Sequence, residues 1–221
     1  MTRIVTVITL VMLTLTLVSC DTTPTATTPA PKASDIQIGY KAELLEQIER
    51  KYESPEAHYQ LGKLYQAEGR LDKADFEFRV AVGFDPVHFR AQAGLVKVLV
   101  DSGQKERADV VAELYTSQTA VSAQKSLLLG KAFRDEDLKD YALNCYFQAL
   151  GLDPESDEAY KLLGYHYLNE KDKVRAEEYF RRSFELNPYQ PEVSGELGRM
   201  GVIISGPRTG SVSAPAGAPA E

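Results

Sequence analysis

Leu61, Leu95, Leu129 and Leu163 are evenly spaced along the chain, and Ala74, Ala108, Ala142 and Ala176 recur at the same interval. A chain that repeats itself at one period folds as a row of like units, each burying an apolar face against its neighbours. The register extends to Gly62, Val96, Gly130 and Gly164; to Tyr65, Leu99, Phe133 and Tyr167; to Phe78, Ala112, Tyr146 and Phe180; and to Pro86, Ala120, Pro154 and Pro188. Four units result without insertion, at 55–88, 89–122, 123–156 and 157–190. A small residue on one helix with a glycine opposite it lets two helices cross closely, and large aromatic side chains fill the space beside the crossing. Asp85-Pro86, Asp153-Pro154 and Asn187-Pro188 end the first, third and fourth units, because the residue before a proline is pushed out of helical dihedrals. Helices start where expected: Ser54 and Ser156 are N-cap signals, and Pro191 after Gln190 belongs in a first helical turn.

The period and these residues resemble the tetratricopeptide repeat (TPR) family over Pro55 to Pro188. The resemblance implies an all-α fold, a right-handed α-solenoid of four helix pairs. The second unit has drifted, with Val96 for glycine, Ala112 for the aromatic, Ala120 for proline, and Tyr115 where the other units have Ala81, Ala149 or Ser183. The bulky ring has moved about one turn along the helix, keeping volume while shifting the local crossing.

A solenoid needs covered ends. At 35–54, Ile38, Ala42, Leu45, Ile48 and Tyr52 fall on one helical stripe, which predicts an N-terminal capping helix. At 189–204, Val193, Leu197, Met200 and Ile204 predict a C-terminal one, although Gly195, Gly198 and Gly201 each weaken a helix by about 1 kcal/mol relative to alanine. Residues 205–221 have the composition of a disordered tail.

The segment 1–19 is a separate object. Arg3 precedes an apolar run from Ile4 to Val18, about the length of a signal-peptide core and short of the roughly 20 residues that span a bilayer. Leu17-Val18-Ser19-Cys20 resembles the lipobox of bacterial lipoproteins, which implies cleavage before Cys20 and acylation of its sulfur and new amine. Two or three acyl chains make a stable anchor. A plain secretory signal or an N-terminal anchor helix is the alternative. Residues 20–34 then form a Thr/Pro-rich tether with a reach on the order of 40 Å. These readings place the protein in the bacterial cell envelope, lipid-anchored and facing the periplasm or the exterior, with the choice of inner or outer membrane open.

The formal net charge of −7 speaks against nucleic acid as a partner, which selects clustered Lys and Arg. Two cysteines build no disulfide framework, and His58, His88 and His166 take three different places in the repeat, so no metal-ligand spacing arises. There is no phosphate loop, nucleophile elbow or paired-carboxylate motif, and Cys145 reads as a packed thiol. The expectation is a protein that is not an enzyme, with no cofactor, metal or small-molecule substrate.

The family resemblance implies a peptide groove on the concave face, lined by the first helix of each repeat. The ninth positions of those helices are Lys63, Lys97, Lys131 and Tyr165, with Tyr59, Arg90, Arg134 and Lys161 nearby. This basic, partly aromatic lining suits an extended acidic peptide. The clamp for a C-terminal carboxylate that some family members use is missing, since Tyr59, Ala93 and Gly94 stand where it needs lysine or asparagine. Lipid-anchored members resemble pilotin-like and pilus-assembly lipoproteins. The expected function is therefore an envelope scaffold for protein partners in pilus or secretion-system assembly, the alternative being an adaptor that recruits cell-wall hydrolases or a protease.

Overall fold

The structure, a computed structural model, describes residues 33–203. They form ten α-helices: α1 (Ala33–Arg50), α2 (Pro55–Ala67), α3 (Leu71–Phe84), α4 (Phe89–Asp101), α5 (Lys105–Thr119), α6 (Ala123–Asp135), α7 (Lys139–Leu152), α8 (Asp157–Asn169), α9 (Lys173–Leu186) and α10 (Pro191–Arg199). Among the described residues there is no strand. The fold is the all-α solenoid of helix pairs that the repeat implies. The signal segment at 1–19, Cys20, most of the tether, Ile204 and the tail at 205–221 lie outside the described residues.

Each pair turns through a left-handed residue at the same register position: Gly69 (φ 71°), Gly103 (φ 76°), Asp137 (φ 58°) and Lys171 (φ 63°). The short turn makes the two helices antiparallel neighbours. Leu61, Leu129, Leu163 and the four recurring alanines are buried at the crossings. The small glycine is required there by distance: a Cβ on Gly62 would lie 2.7 Å from the Phe78 ring, on Gly130 2.6 Å from Tyr146, and on Gly164 2.5 Å from Phe180.

The second repeat departs from this geometry for a visible reason. Val96 puts a branched side chain where the glycine should be, and α4 packs less closely on α5 than the helices of the other pairs do on each other. In compensation α4 approaches the preceding repeat. Gly94 faces the same Phe78 ring from the other side, with only 2.8 Å of room for a Cβ. Tyr115 is buried near Arg79 and Asp75 of α3, so its ring fills the boundary with the first repeat.

Three sequence expectations need correction. The docking face of α1 holds Lys41, Leu44 and Ile48, while Ile38 and Leu45 are exposed. The expected stripe lies about one residue off, because Leu44 occupies the place of Phe78 one period earlier and is likewise buried. The C-terminal helix stops at Arg199, with Gly201 (φ 79°) ending it, so the glycines shorten the expected 189–204 segment. Ser54 makes no side-chain cap, and Pro55 alone marks the start of α2, whereas Ser156 does cap α8 through Ala159 at 3.3 Å.

Candidate functional site

The first helices pack side by side, α2 on α4 and α4 on α6. Their common surface carries a cleft of about 500 Å³ lined by Glu56, by Asp85 and Val87–Arg90 at the start of α4, and by Leu128, Lys131, Ala132 and Asp135. Val87 and Leu128 are exposed large apolar side chains on its walls. Of the residues singled out in the sequence, the cleft brings together Arg90 and Lys131.

The lysine ladder is present but already partnered. Lys131, ninth in α6, pairs with Glu158, second in the next first helix. In the second repeat the equivalent acceptor is Gln124, so Lys97 turns to Asp101 one turn along its own helix, at 2.8 Å. For Lys63 the equivalent residue is Arg90, a like charge. Lys63 instead reaches Glu136, 73 residues away at the end of α6, at 2.8 Å. Arg90 pairs with Glu56 at 2.8 Å, Lys161 with Glu192 at 3.2 Å, and Arg134 with its neighbour Asp135 at 2.8 Å. Sequence reasoning missed these carboxylates. For Glu158 the signal that could have found it is the spacing from the ninth position of one first helix to the second position of the next; the other carboxylates follow no common spacing.

The electrostatics follow from the pairing. Burial raises the Glu56 carboxyl, but the Gln60 hydrogen bond together with Arg90 and His88 outweighs it and holds the group below its ordinary value. A backbone hydrogen bond and Lys161 lower Glu192 in the same sense. These carboxylates are anionic at neutral pH and hold their cations.

Tyr59 is displaced from its expected role. Its ring is buried, 5.9 Å from Phe78 and 5.1 Å from His88, and Arg90 covers it at 4.8 Å. It supports Arg90 and offers no ring face to a partner. Tyr165 stands edge-on to Phe180 at 5.0 Å and is only partly buried. Burial, then Glu196 and Glu192, raise its hydroxyl above the ordinary tyrosine value.

Nothing in the geometry of the described residues resembles a reaction centre. His58 is buried between Glu77 at 2.6 Å and the Tyr52 carbonyl at 2.8 Å, and His88 caps α4 through the Ala91 amide at 3.1 Å. Burial pushes the Cys145 thiol up to about 11, against the small opposing effect of Thr116. Among the described residues no cluster of His, Cys, Asp and Glu is placed to hold a metal ion.

Comparison with known proteins agrees with the repeat. The family model described as tetratricopeptide repeat matches residues 55–88 and 157–190, the first and fourth units. The type IV pilus assembly protein PilF of Pseudomonas aeruginosa is 29% identical over 150 residues, which are 66% of this chain and 58% of that protein. Human protein O-mannosyl-transferase TMTC1 is 26% identical over 74% of this chain and 18% of its own length. The chain thus spans less than two thirds of each of these relatives. Among solved structures, MamA from Desulfovibrio magneticus RS-1 is 25% identical, covering 70% of this chain and 88% of its own with a TM-score of 0.41. Pseudomonas aeruginosa PilF is 24% identical there, covering 73% and 69% with a TM-score of 0.39.

Proposed function

We propose that this chain of tetratricopeptide repeats is a non-catalytic scaffold of the cell envelope that holds partner segments along its first helices during pilus or secretion-system assembly. The repeats make it a protein-binding fold. The observation that carries the reading of the site is the cleft across three first helices, where exposed Val87 and Leu128 stand among paired charges. An extended acidic segment would exchange its carboxylates for Glu56 and Glu158 on Arg90 and Lys131, and lay an apolar side chain on Leu128. Because each cation already has a partner, the exchange contributes little net energy; exposed pairs are worth about 0–1 kcal/mol each. Affinity then rests on the apolar contacts, and the charges set orientation and partner choice.

The similarity to a protein that functions in type IV pilus assembly supports the assembly setting. Among the described residues no helix is long and apolar enough to cross a membrane. In this proposal attachment comes from Cys20, acylated after cleavage of residues 1–19, with residues 20–34 as the tether.

Co-purification from detergent-solubilised envelope tests the assignment. Secretin or pilus subunits should be recovered with the parent chain and lost with a Leu128→Asp/Lys131→Glu variant of unchanged helicity. Recovery of cell-wall hydrolases or a protease in their place would overturn the assembly reading. Equal recovery with the variant would remove the cleft from it.

A further inference from the structure

Each end of the solenoid holds half of a repeat. Carried one period upstream, the register puts α1 in the place of a second helix: Leu44 stands one full period before Phe78 and is likewise buried. Carried downstream, α10 is a first helix, since Leu197 and Gly198 follow Leu163 and Gly164 by the same period. Among the described residues α1 has no first helix in front of it and α10 no second helix behind it. In the sequence, the first-helix register at 21–34 contains Pro24, Pro29 and Pro31, and the second-helix register at 207–220 has Ala214 at the aromatic position with Pro215 beside it.

The two halves fit each other in size. The buried alanine of every second helix, Ala74 to Ala176, is replaced on α1 by Tyr40, which is 41% exposed. The large residue late in every first helix, Tyr65, Leu99, Phe133 or Tyr167, is replaced after α10 by Gly201. In complete repeats that large residue lies against its second helix: Phe133 is 5.7 Å from Tyr141, the neighbour of Ala142, and Tyr167 is stacked 5.3 Å from Tyr179. At the ends the ring has moved from one helix to the other, which conserves volume only if the two ends meet. Gly198 agrees: its glycine counterparts Gly62, Gly130 and Gly164 are each pressed by an aromatic ring, while a Cβ on Gly198 would meet nothing within 4 Å.

We propose that a second copy of this chain completes each half-repeat, α1 of one copy docking on α10 of the next. The joining surfaces differ, so the contact is heterologous and propagates head to tail instead of closing as a symmetric dimer. It reproduces between copies the pairing of first and second helix found within each complete repeat.

The test is sedimentation of the full chain in a non-ionic detergent over a wide concentration range, with mass corrected for bound detergent. The average mass should climb without a plateau at the dimer. Tyr40→Glu blocks one end and Gly198→Leu the other; the second adds a side chain into open space and leaves the fold intact, which circular dichroism checks. Each variant alone should remain monomeric. An equimolar mixture should form dimers and nothing larger, because one sound α10 and one sound α1 remain. A parent chain that is monomeric throughout or stops at a dimer overturns the proposal, as does association that Gly198→Leu leaves unchanged.

Discussion

Lys63 in the first repeat and Glu136 at the end of the third repeat's first helix form a 2.8 Å ion pair that passes over α4. Glu136 keeps only 10% of its side-chain surface exposed, whereas Lys63 keeps 36%. The nearly buried carboxylate therefore depends on a lysine two repeats away. Nearest-neighbour coupling is the rule in solenoids, and this contact adds a next-nearest one.

Removing only the lysine should thus be worse than removing both partners. Lys63→Ala leaves Glu136 without its cation at a mostly desolvated site and should cost about 1–3 kcal/mol. The Lys63→Ala/Glu136→Ala chain should recover part of that loss. Urea denaturation of the three variants checks the order, and a double variant less stable than Lys63→Ala would contradict it.

Glycine substitutions should divide by location. Gly130→Ala presses a methyl to within 2.6 Å of Tyr146 and should destabilise by about 1–3 kcal/mol. Gly83→Ala and Gly151→Ala, in helices with nothing within 4 Å, should stabilise by up to about 1 kcal/mol. In the turns the direction reverses: Lys171→Gly relieves a positive φ of 63° and should raise the melting temperature slightly.

Cys145 should be inert in the native chain and reactive once unfolded. Burial moves its thiol from 9.0 up to about 11, and moves the Tyr146 hydroxyl from 10.0 up to about 12. Both folded-state values lie above the unfolded ones, so the folded state favours the neutral forms. The associated stability is fully present below about pH 9 and is lost as pH rises through 9 to 11 for Cys145, by up to roughly 3 kcal/mol. Melting temperatures across that window, together with alkylation rates with and without denaturant, provide the check. Fast alkylation of the folded chain at pH 7.5 would contradict the burial.

The lipobox reading predicts that Cys20→Ser leaves the chain unprocessed or moves it out of the lipidated fraction. Detergent partitioning after metabolic labelling with a fatty acid decides it. Unchanged labelling would exclude acylation at Cys20.

Much of the architecture is legible in the sequence because a fixed period converts one correct residue assignment into four. Leu61, Ala74 and Phe78 locate the same crossing in successive units, and the drift at Val96 and Ala112 marks the pair that packs differently. The face of α1 escapes a stripe counted locally; the register itself, applied one period upstream, points to Leu44. The groove is harder. A lysine at a solvent-facing position looks free when only its own helix is considered, and its carboxylate arrives from another unit through tertiary contact. Tyr59 misleads for a similar reason, since Arg90 and His88, which cover it, belong to the next repeat and its cap.

The Phe78 ring is held between Gly62 of its own repeat and Gly94 of the following one, and α4 rests more closely on α3 than on α5. The blocks that open together are then offset from the blocks that repeat in sequence. Amide exchange should place α2, α3 and α4 in one cooperative unit, so that the first repeat does not open separately from the helix that follows it. Cutting the chain between repeats at residue 88 would expose the ring that holds both sides together.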